Sequence, residues 1–314
     1  MKDEFRTAYL PIAKEIITSR AFSNFSMAEK YREIQNRTDI DFTASIRVLE
    51  RLPVFLNGET HKKVRKAMAS RVAVTKQKQM EVVVDTVDRL IPQHFMTPGQ
   101  FDLVSDISKP IWRAISQQIV GENVCAPGLI DEIPQLFDPT LSIRRRLEID
   151  SAIASVIQNI DDEKLTTIAL SVLGAKPFQG SLSLSIYYAA KHHQGKPLRD
   201  YDWGGGYQRS SLEYVDRICT RDSTVAHQNI RRNERVRCIT HSDKYSAEDN
   251  LNGMFGYGGH LCLGRAISQF SFDYLTKSLK GLDCHLKPVS LTMASHCQPF
   301  KFPASAIIFV ELKV

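Results

Sequence analysis

The ten-residue segment Phe255-Gly256-Tyr257-Gly258-Gly259-His260-Leu261-Cys262-Leu263-Gly264 constrains the fold of this chain more than any other part of its sequence. Its glycines allow backbone conformations that other residues avoid, and they let a flat ligand approach closely. Apolar residues recur at helical spacing after it, at Ile267, Phe270, Tyr274 and Leu275. Cys262 is therefore predicted to lie between a glycine-rich loop and an amphipathic helix. The free N–H groups and positive dipole end of that helix would stabilise a thiolate that can bind a metal.

Other uses of this cysteine follow from cysteine spacing. The nearest downstream cysteine is Cys284 and the chain has no Cys-x-x-Cys pair, which disfavours a zinc site. A buried structural cysteine after an ordinary turn is the remaining alternative. The six cysteines, at 125, 219, 238, 262, 284 and 297, show no disulfide-framework spacing, and the N-terminal residues do not resemble a signal peptide. We therefore expect a reducing, cytoplasmic location.

The spacing Phe-Gly-x-Gly-x-His-x-Cys-x-Gly resembles the heme-binding loop of the cytochrome P450 superfamily at all six fixed positions. The resemblance implies heme b as cofactor, with Cys262 as the axial thiolate whose electron donation favours O–O bond cleavage. It also implies that Phe255 packs on the proximal side of the porphyrin and that His260 approaches a heme propionate. Gly256 belongs to the same loop, and Gly264 would permit close packing of the following helix.

Composition is that of an ordinary globular protein, and we expect one heme domain over residues 1–314. Hydrophobic residues make up 43% and charged residues 24%, and no apolar run approaches the length needed to cross a bilayer. The net charge of +6 comes from basic clusters without a nucleic-acid recognition motif, so neither nucleic acid nor a membrane is an expected partner. Heme propionates and acidic redox proteins are alternative partners for these cations.

Apolar periodicity predicts a mainly α fold with minor β structure, which agrees with the fold that the resemblance implies. Helices are expected near residues 5–20, 103–120, 141–160 and 163–193. Only the last thirty residues read as strands, most clearly at 305–310.

The segment Asn57–Arg65 resembles the family's helix that carries His-x-x-x-Arg. One helical turn separates His61 from Arg65, so both side chains would point the same way and could bind one propionate. Downstream, Arg231 stands where the family often places a second propionate ligand, with Arg232 or His227 as alternatives.

The family's long distal helix resembles the stretch from Leu170 to Gly180. Gly174 matches the family's glycine, but Lys176 and Pro177 stand where an acid and a threonine normally deliver protons to bound oxygen. Water, the substrate, Gln179 or Ser181 would have to replace them. Lys176-Pro177 also resembles the basic residue and proline of the family's peroxide-using branch.

Two further departures concern the structural core. No Glu-x-x-Arg occurs around residues 211–222, and Glu213 with Arg217 is predicted as a substitute ion pair on a helix. His61 occurs early in the chain, so the first helix and the N-terminal sheet are expected to be largely missing. The site would then be more open than usual, or would be covered by a partner chain.

The resemblance predicts a heme-thiolate oxidoreductase that monooxygenates or otherwise oxidises a small organic substrate such as a secondary metabolite. Electrons would come from a separate ferredoxin or flavodoxin, because the chain has no flavin, nicotinamide or iron–sulfur motif. One alternative is chemistry that needs no reductase, as in a peroxygenase, dehydratase or isomerase. The other is a degenerate, non-catalytic helper subunit.

Overall fold

A computed structural model describes residues 6–121, 132–138, 140–204, 209–294 and 302–312. Cys125 and Cys297 lie outside these ranges. The chain groups into two compact units, each assembled from three separate stretches. The first unit comprises residues 1–70, 124–173 and 212–263, and the second comprises residues 71–123, 174–211 and 264–314.

Helices dominate the described ranges. Their bounds are α1 Ile12–Thr18, α2 Met27–Thr38, α3 Thr43–Leu49, α4 Gly58–Leu90, α5 Lys109–Val120, α6 Ile143–Ile157, α7 Asp162–His192, α8 Ala247–Phe255 and α9 Arg265–Leu279. Local capping explains several starts: the side chains of Ser26, Ser142 and Ser246 accept N–H bonds at the first turns of α2, α6 and α8. Pro177 lies inside α7 without ending it.

The first unit contains a four-stranded sheet in the order β1-β7-β4-β2. Its strands are β1 Arg6–Ala8, β2 Phe22–Ser23, β4 Tyr214–Cys219 and β7 Arg235–Ile239, and a separate hairpin pairs β5 Ser223–Val225 with β6 Gln228–Ile230. β1 runs parallel to β7, and the other pairings are antiparallel. Buried side chains of α1, including Ala13 and Ile16, share a core with Val236 and Cys238 of β7.

This sheet corrects three sequence-based expectations. The helix predicted near residues 5–20 is replaced, within the described residues, by the strand β1 and the short helix α1. Strands also occur well before the last thirty residues, at β4 to β7. Glu213 immediately precedes β4, and Arg217 lies within that strand. The predicted ion pair on a helix was therefore wrong. The N-terminal segment does contribute to the sheet, through two strands of three and two residues.

The second unit contains the sheet β3-β9-β8, formed by β3 Gly99–Asp102, β8 Cys284–Met293 and β9 Pro303–Leu312. The strand prediction for 305–310 is confirmed, and residues 103–120 are helical as expected, with a wide-turn segment at Leu103–Ser108 preceding α5. The buried apolar residues of the second unit include Ile107, Ile111, Ile115, Leu182, Leu275, Leu286 and Ile308. None of the helices within the described ranges is long and apolar enough to cross a lipid bilayer.

Candidate functional site

The first turns of α4 bring two predicted site residues onto the glycine-rich loop. The ring of His61 lies 4.4 Å from the ring of His260, measured between centroids, at an angle of 40°. One helical turn later, Arg65 donates an Nη2 hydrogen bond to the carbonyl oxygen of Leu261. The predicted His-x-x-x-Arg geometry is therefore present, and it is directed at the residues immediately before Cys262.

The loop itself is folded back by its own backbone. Gly256 and Gly258 have positive φ values of 75° and 56°, which glycine adopts without steric cost. The N–H of Cys262 donates to the carbonyl oxygen of Phe255 over 2.6 Å, which closes the loop onto the last residue of α8. Cys262 is exposed, whereas Phe255 is buried. The following helix, α9, begins at Arg265 with Gly264 as its N-cap, three residues after Cys262.

Basic side chains gather beside this loop. Burial lowers the pKa of His260 to about 3, with additional lowering by Arg217, His61 and Arg65. Burial also lowers the pKa of His61, and Arg65 and Arg217 lower it further. The pKa of Arg217 is lowered by burial, against the raising effect of Cys238 and Asp216. The positive charges of Arg65 and Arg217 therefore disfavour protonation of the two histidines beside the loop.

These side chains fit an anionic ligand that also carries a metal. The Nε2 atom of His61 is buried and has no hydrogen-bond partner among the described residues. The guanidinium groups of Arg65 and Arg217 lower the pKa of both His61 and His260, and a buried positive charge needs an anion to stabilise it. An anionic group would pair with them, while the exposed Cys262 can supply a thiolate ligand. Heme meets both requirements, because its propionates are anionic and its iron can accept a thiolate ligand.

Sequence reasoning missed Arg217 as part of this cluster. Arg217 is 6% exposed, pairs in register with Val236 of β7, and acts electrostatically on both histidines. The available signal was the alternation of β4, in which Arg217 shares a strand face with Val215 and Cys219. A cation between apolar neighbours on one strand face needs a specific partner.

The predicted second propionate ligand, Arg231, lies elsewhere in the first unit. It is exposed in the turn between β6 and β7, where its backbone N–H donates to Glu234 Oε2 over 2.8 Å. The two alternatives, Arg232 and His227, are exposed as well. Arg217 is therefore a further candidate for a second cationic ligand, and the role of Arg231 stays a prediction.

Gly174, Lys176, Pro177 and Gly264 belong to the second unit. A Cβ atom on Gly174 would lie 2.2 Å from Cη2 of Trp112, so this glycine makes room for the indole ring. Lys176 Nζ lies 5.4 Å from the ring centroid of Phe302.

The two substitute candidates on α7 are buried. The hydroxyl of Ser211 donates to the carbonyl oxygen of Pro177 over 3.2 Å, and its N–H donates to Ser181 Oγ over 3.1 Å. Gln179 is 3% exposed, and its Oε1 has no hydrogen-bond partner within the described part of the chain. A hydroxyl cluster and a buried amide thus occupy this segment in place of an acid and a threonine.

Comparison with solved structures identifies the fold. P450BioI, in complex with hexadec-9Z-enoic acid ligated acyl carrier protein, aligns with a TM-score of 0.73 and 14% identity over 96% of this chain and 92% of that chain. A thermophilic cytochrome P450 from Sulfolobus tokodaii gives 0.67 and 15%, covering 99% and 96% of the two chains. A structure described among unusual cytochrome P450-like monooxygenases of microbial secondary metabolism gives 0.69 and 15%, covering 97% and 92%. No family model and no curated protein matches the sequence.

Proposed function

We propose that this chain, whose fold is that of the cytochromes P450, is a heme-thiolate oxidoreductase acting on a small organic substrate. The observation that carries the proposal is the exposed Cys262 on a loop bordered by His61, His260, Arg65 and Arg217. The proposal treats residues 1–314 as one heme domain in a cytoplasmic protein.

Each residue of the cluster has a defined part in holding heme b. Cys262 is the proposed metal ligand, and Phe255 is the proposed apolar contact beside the ring. Arg65, Arg217, His61 and His260 would bind the propionates, whose negative charges would pair with the two guanidinium groups. A bound thiolate-ligated heme supplies the redox chemistry that oxidises an organic molecule.

The residues of this chain then determine how substrate and protons are handled. Following the resemblance, Gly174, Lys176 and Pro177 are proposed to act on the substrate side. With no acid and threonine at this point of α7, Ser181, Ser211 and Gln179 are the nearby groups that can hold a proton or a water molecule. A ferredoxin or flavodoxin is the proposed electron donor, docking through the basic surface.

The altered segment of α7 supports a second candidate function, in which peroxide replaces oxygen and the reductase. Lys176 and Pro177 stand where a proton-delivering pair is expected, so chemistry that does not need that pair is favoured. Turnover with hydrogen peroxide alone, compared with turnover with oxygen plus reductase, separates the two functions. A helper subunit would show neither activity in the presence of bound heme.

The proposal is tested by the reduced carbon-monoxide difference spectrum of the purified protein after hemin is added. We expect the Soret band characteristic of thiolate ligation in the parent and its complete loss in Cys262→Ala. Because Cys262 is exposed, the thermal unfolding temperature of the heme-free variant should match the parent. A parent without this band, or a variant that keeps it, would refute heme-thiolate ligation.

Titration of the heme-free protein with hemin compares the two candidate arginines, Arg217 and Arg231. Arg217→Gln should weaken hemin binding about tenfold, because it removes a buried charged donor from the cluster. Arg231→Gln removes an exposed charge and should change the affinity less than about twofold. The opposite ranking would restore Arg231 as the second ligand.

A further inference from the structure

A single peptide group in the loop, the one joining Leu261 to Cys262, is held at both of its polar ends. Its N–H, on Cys262, donates to the carbonyl oxygen of Phe255 over 2.6 Å. Its carbonyl oxygen, on Leu261, accepts from Nη2 of Arg65. The first bond comes from within the loop, whereas the second comes from a side chain on α4. Fixing both ends restricts rotation of the peptide plane that leads into the cysteine.

Side chains of α4 contact consecutive residues of the loop. His61 lies against the ring of His260, and Arg65, one turn later, bonds to the next residue, Leu261. The preceding loop residue, Gly259, would place a Cβ atom 3.9 Å from Cε1 of His61, which is ordinary contact. Three consecutive loop positions are therefore apposed to one turn of α4, so the loop cannot shift without breaking the Arg65 bond.

Arg65 has the chemistry to do this and still bind an anion. A guanidinium carries five N–H donors, and the bond to Leu261 uses one of its two terminal nitrogens. Burial lowers the pKa of Arg65 and the neighbouring Cys262 raises it, so its charge is within electrostatic reach of the thiol. The remaining donors can serve a propionate without releasing the loop.

We propose that Arg65 is a positioning residue for Cys262: its hydrogen bond to the Leu261 carbonyl oxygen fixes the peptide plane that aims the thiolate. This role is additional to anion binding, and its importance for a metal ligand rests on the proposed function. It is carried by the hydrogen bond that the end of the side chain donates. A lysine, whose side chain has nearly the same reach and also ends in an N–H donor, should therefore replace arginine in this role.

Amide hydrogen exchange of the purified, heme-free protein tests the proposal without relying on heme. In Arg65→Ala, exchange of the segment 256–263 should accelerate about fivefold or more, since one hydrogen bond to the loop is lost. In Arg65→Lys it should stay within about twofold of the parent. Lys66→Ala, which removes an exposed charge at the adjacent position, is the control and should match the parent.

Exchange in β4 and β7 reports whether each variant is folded. If the alanine variant fails to fold, Arg65→Met decides, because it keeps the apolar stem, removes every donor and should show the same fivefold acceleration. Unchanged exchange in the folded donor-less variant would overturn the proposal. So would equal acceleration in Arg65→Lys, because a donor of similar reach would then fail to hold the loop.

The spectrum after addition of hemin provides a second readout. Arg65→Ala should lower the fraction of the reduced carbon-monoxide complex that shows the thiolate Soret band, and Arg65→Lys should keep the parent's fraction even where its hemin affinity falls. An unchanged fraction in Arg65→Ala would overturn the positioning role. If the parent itself shows no such band, the proposed function fails, while the exchange data still decide whether Arg65 holds the loop.

Discussion

Glycines in the cysteine loop and glycines in α7 meet different physical demands. Gly256 and Gly258 adopt positive φ values, so the loop needs glycine for its backbone conformation. Gly174 and Gly180 lie inside a helix, where they leave space for side chains of other elements: Trp112 beside Gly174, and Phe302 with Ser211 beside Gly180. Glycine thus serves the cysteine loop by adopting positive φ values, and it serves α7 by leaving room for neighbouring side chains.

The two regions also differ in what stabilises them. The loop is closed by backbone hydrogen bonds and bordered by bases. The α7 segment is packed by aromatic rings and crossed by serine hydroxyl bonds. The loop therefore depends on its backbone conformation, whereas the helix segment depends on side-chain packing.

The sharpest test of this contrast is Gly174→Ala, for which we expect the largest loss of stability. The added Cβ would lie 2.2 Å from Cη2 of Trp112, and such overpacking costs about 1–3 kcal/mol of unfolding free energy. Trp112→Phe should restore part of that loss in the double variant, because the smaller ring leaves room for the methyl group. Urea denaturation gives the unfolding free energies of the two single variants and of the double variant. Additive effects of the two substitutions would show that the indole is not the obstacle.

Gly256→Ala should cost somewhat less, about 1–2 kcal/mol, because it forces a left-handed conformation on an L-residue. Its Cβ would also lie 2.8 Å from the carbonyl oxygen of His260. Gly259→Ala is the matched control in the same loop, since its Cβ would make only ordinary contact. Urea denaturation and hemin titration should both separate the two variants. Equal effects would mean that the loop tolerates either conformation at position 256.

The smallest effect is expected for Ser211→Ala, at about 0.5–1.5 kcal/mol. This substitution removes a buried hydroxyl that donates to Pro177, while α7 remains packed. Ser155→Ala is the control, because the exposed Ser155 hydroxyl also donates to a helix carbonyl, that of Ala152. Thermal unfolding of the pair measures the difference. If both cost the same, the Ser211 contact does not stabilise the segment around Pro177.

Helices with strong periodicity were predictable from the sequence. The expected segments 141–160 and 163–193 correspond to α6 and α7, and Pro177 did not interrupt the latter because its apolar faces are buried along the whole length. The short strands were not predicted, because β4 to β7 contain three to six residues each and because β4 and β7 carry charged side chains. Arg217 was consequently placed on the wrong kind of element.

The sequence alone determined the cysteine loop, because its glycines and its cysteine lie within one continuous segment. It also determined that His61 and Arg65 face the same way, because that depends only on helical periodicity. Only the tertiary structure decided which cation joins them, because Arg217 reaches the cluster through strand pairing across distant parts of the chain. It likewise decided that Gly174 accommodates Trp112 and that Arg65 holds the Leu261 carbonyl, since non-local contacts leave no local pattern in the sequence.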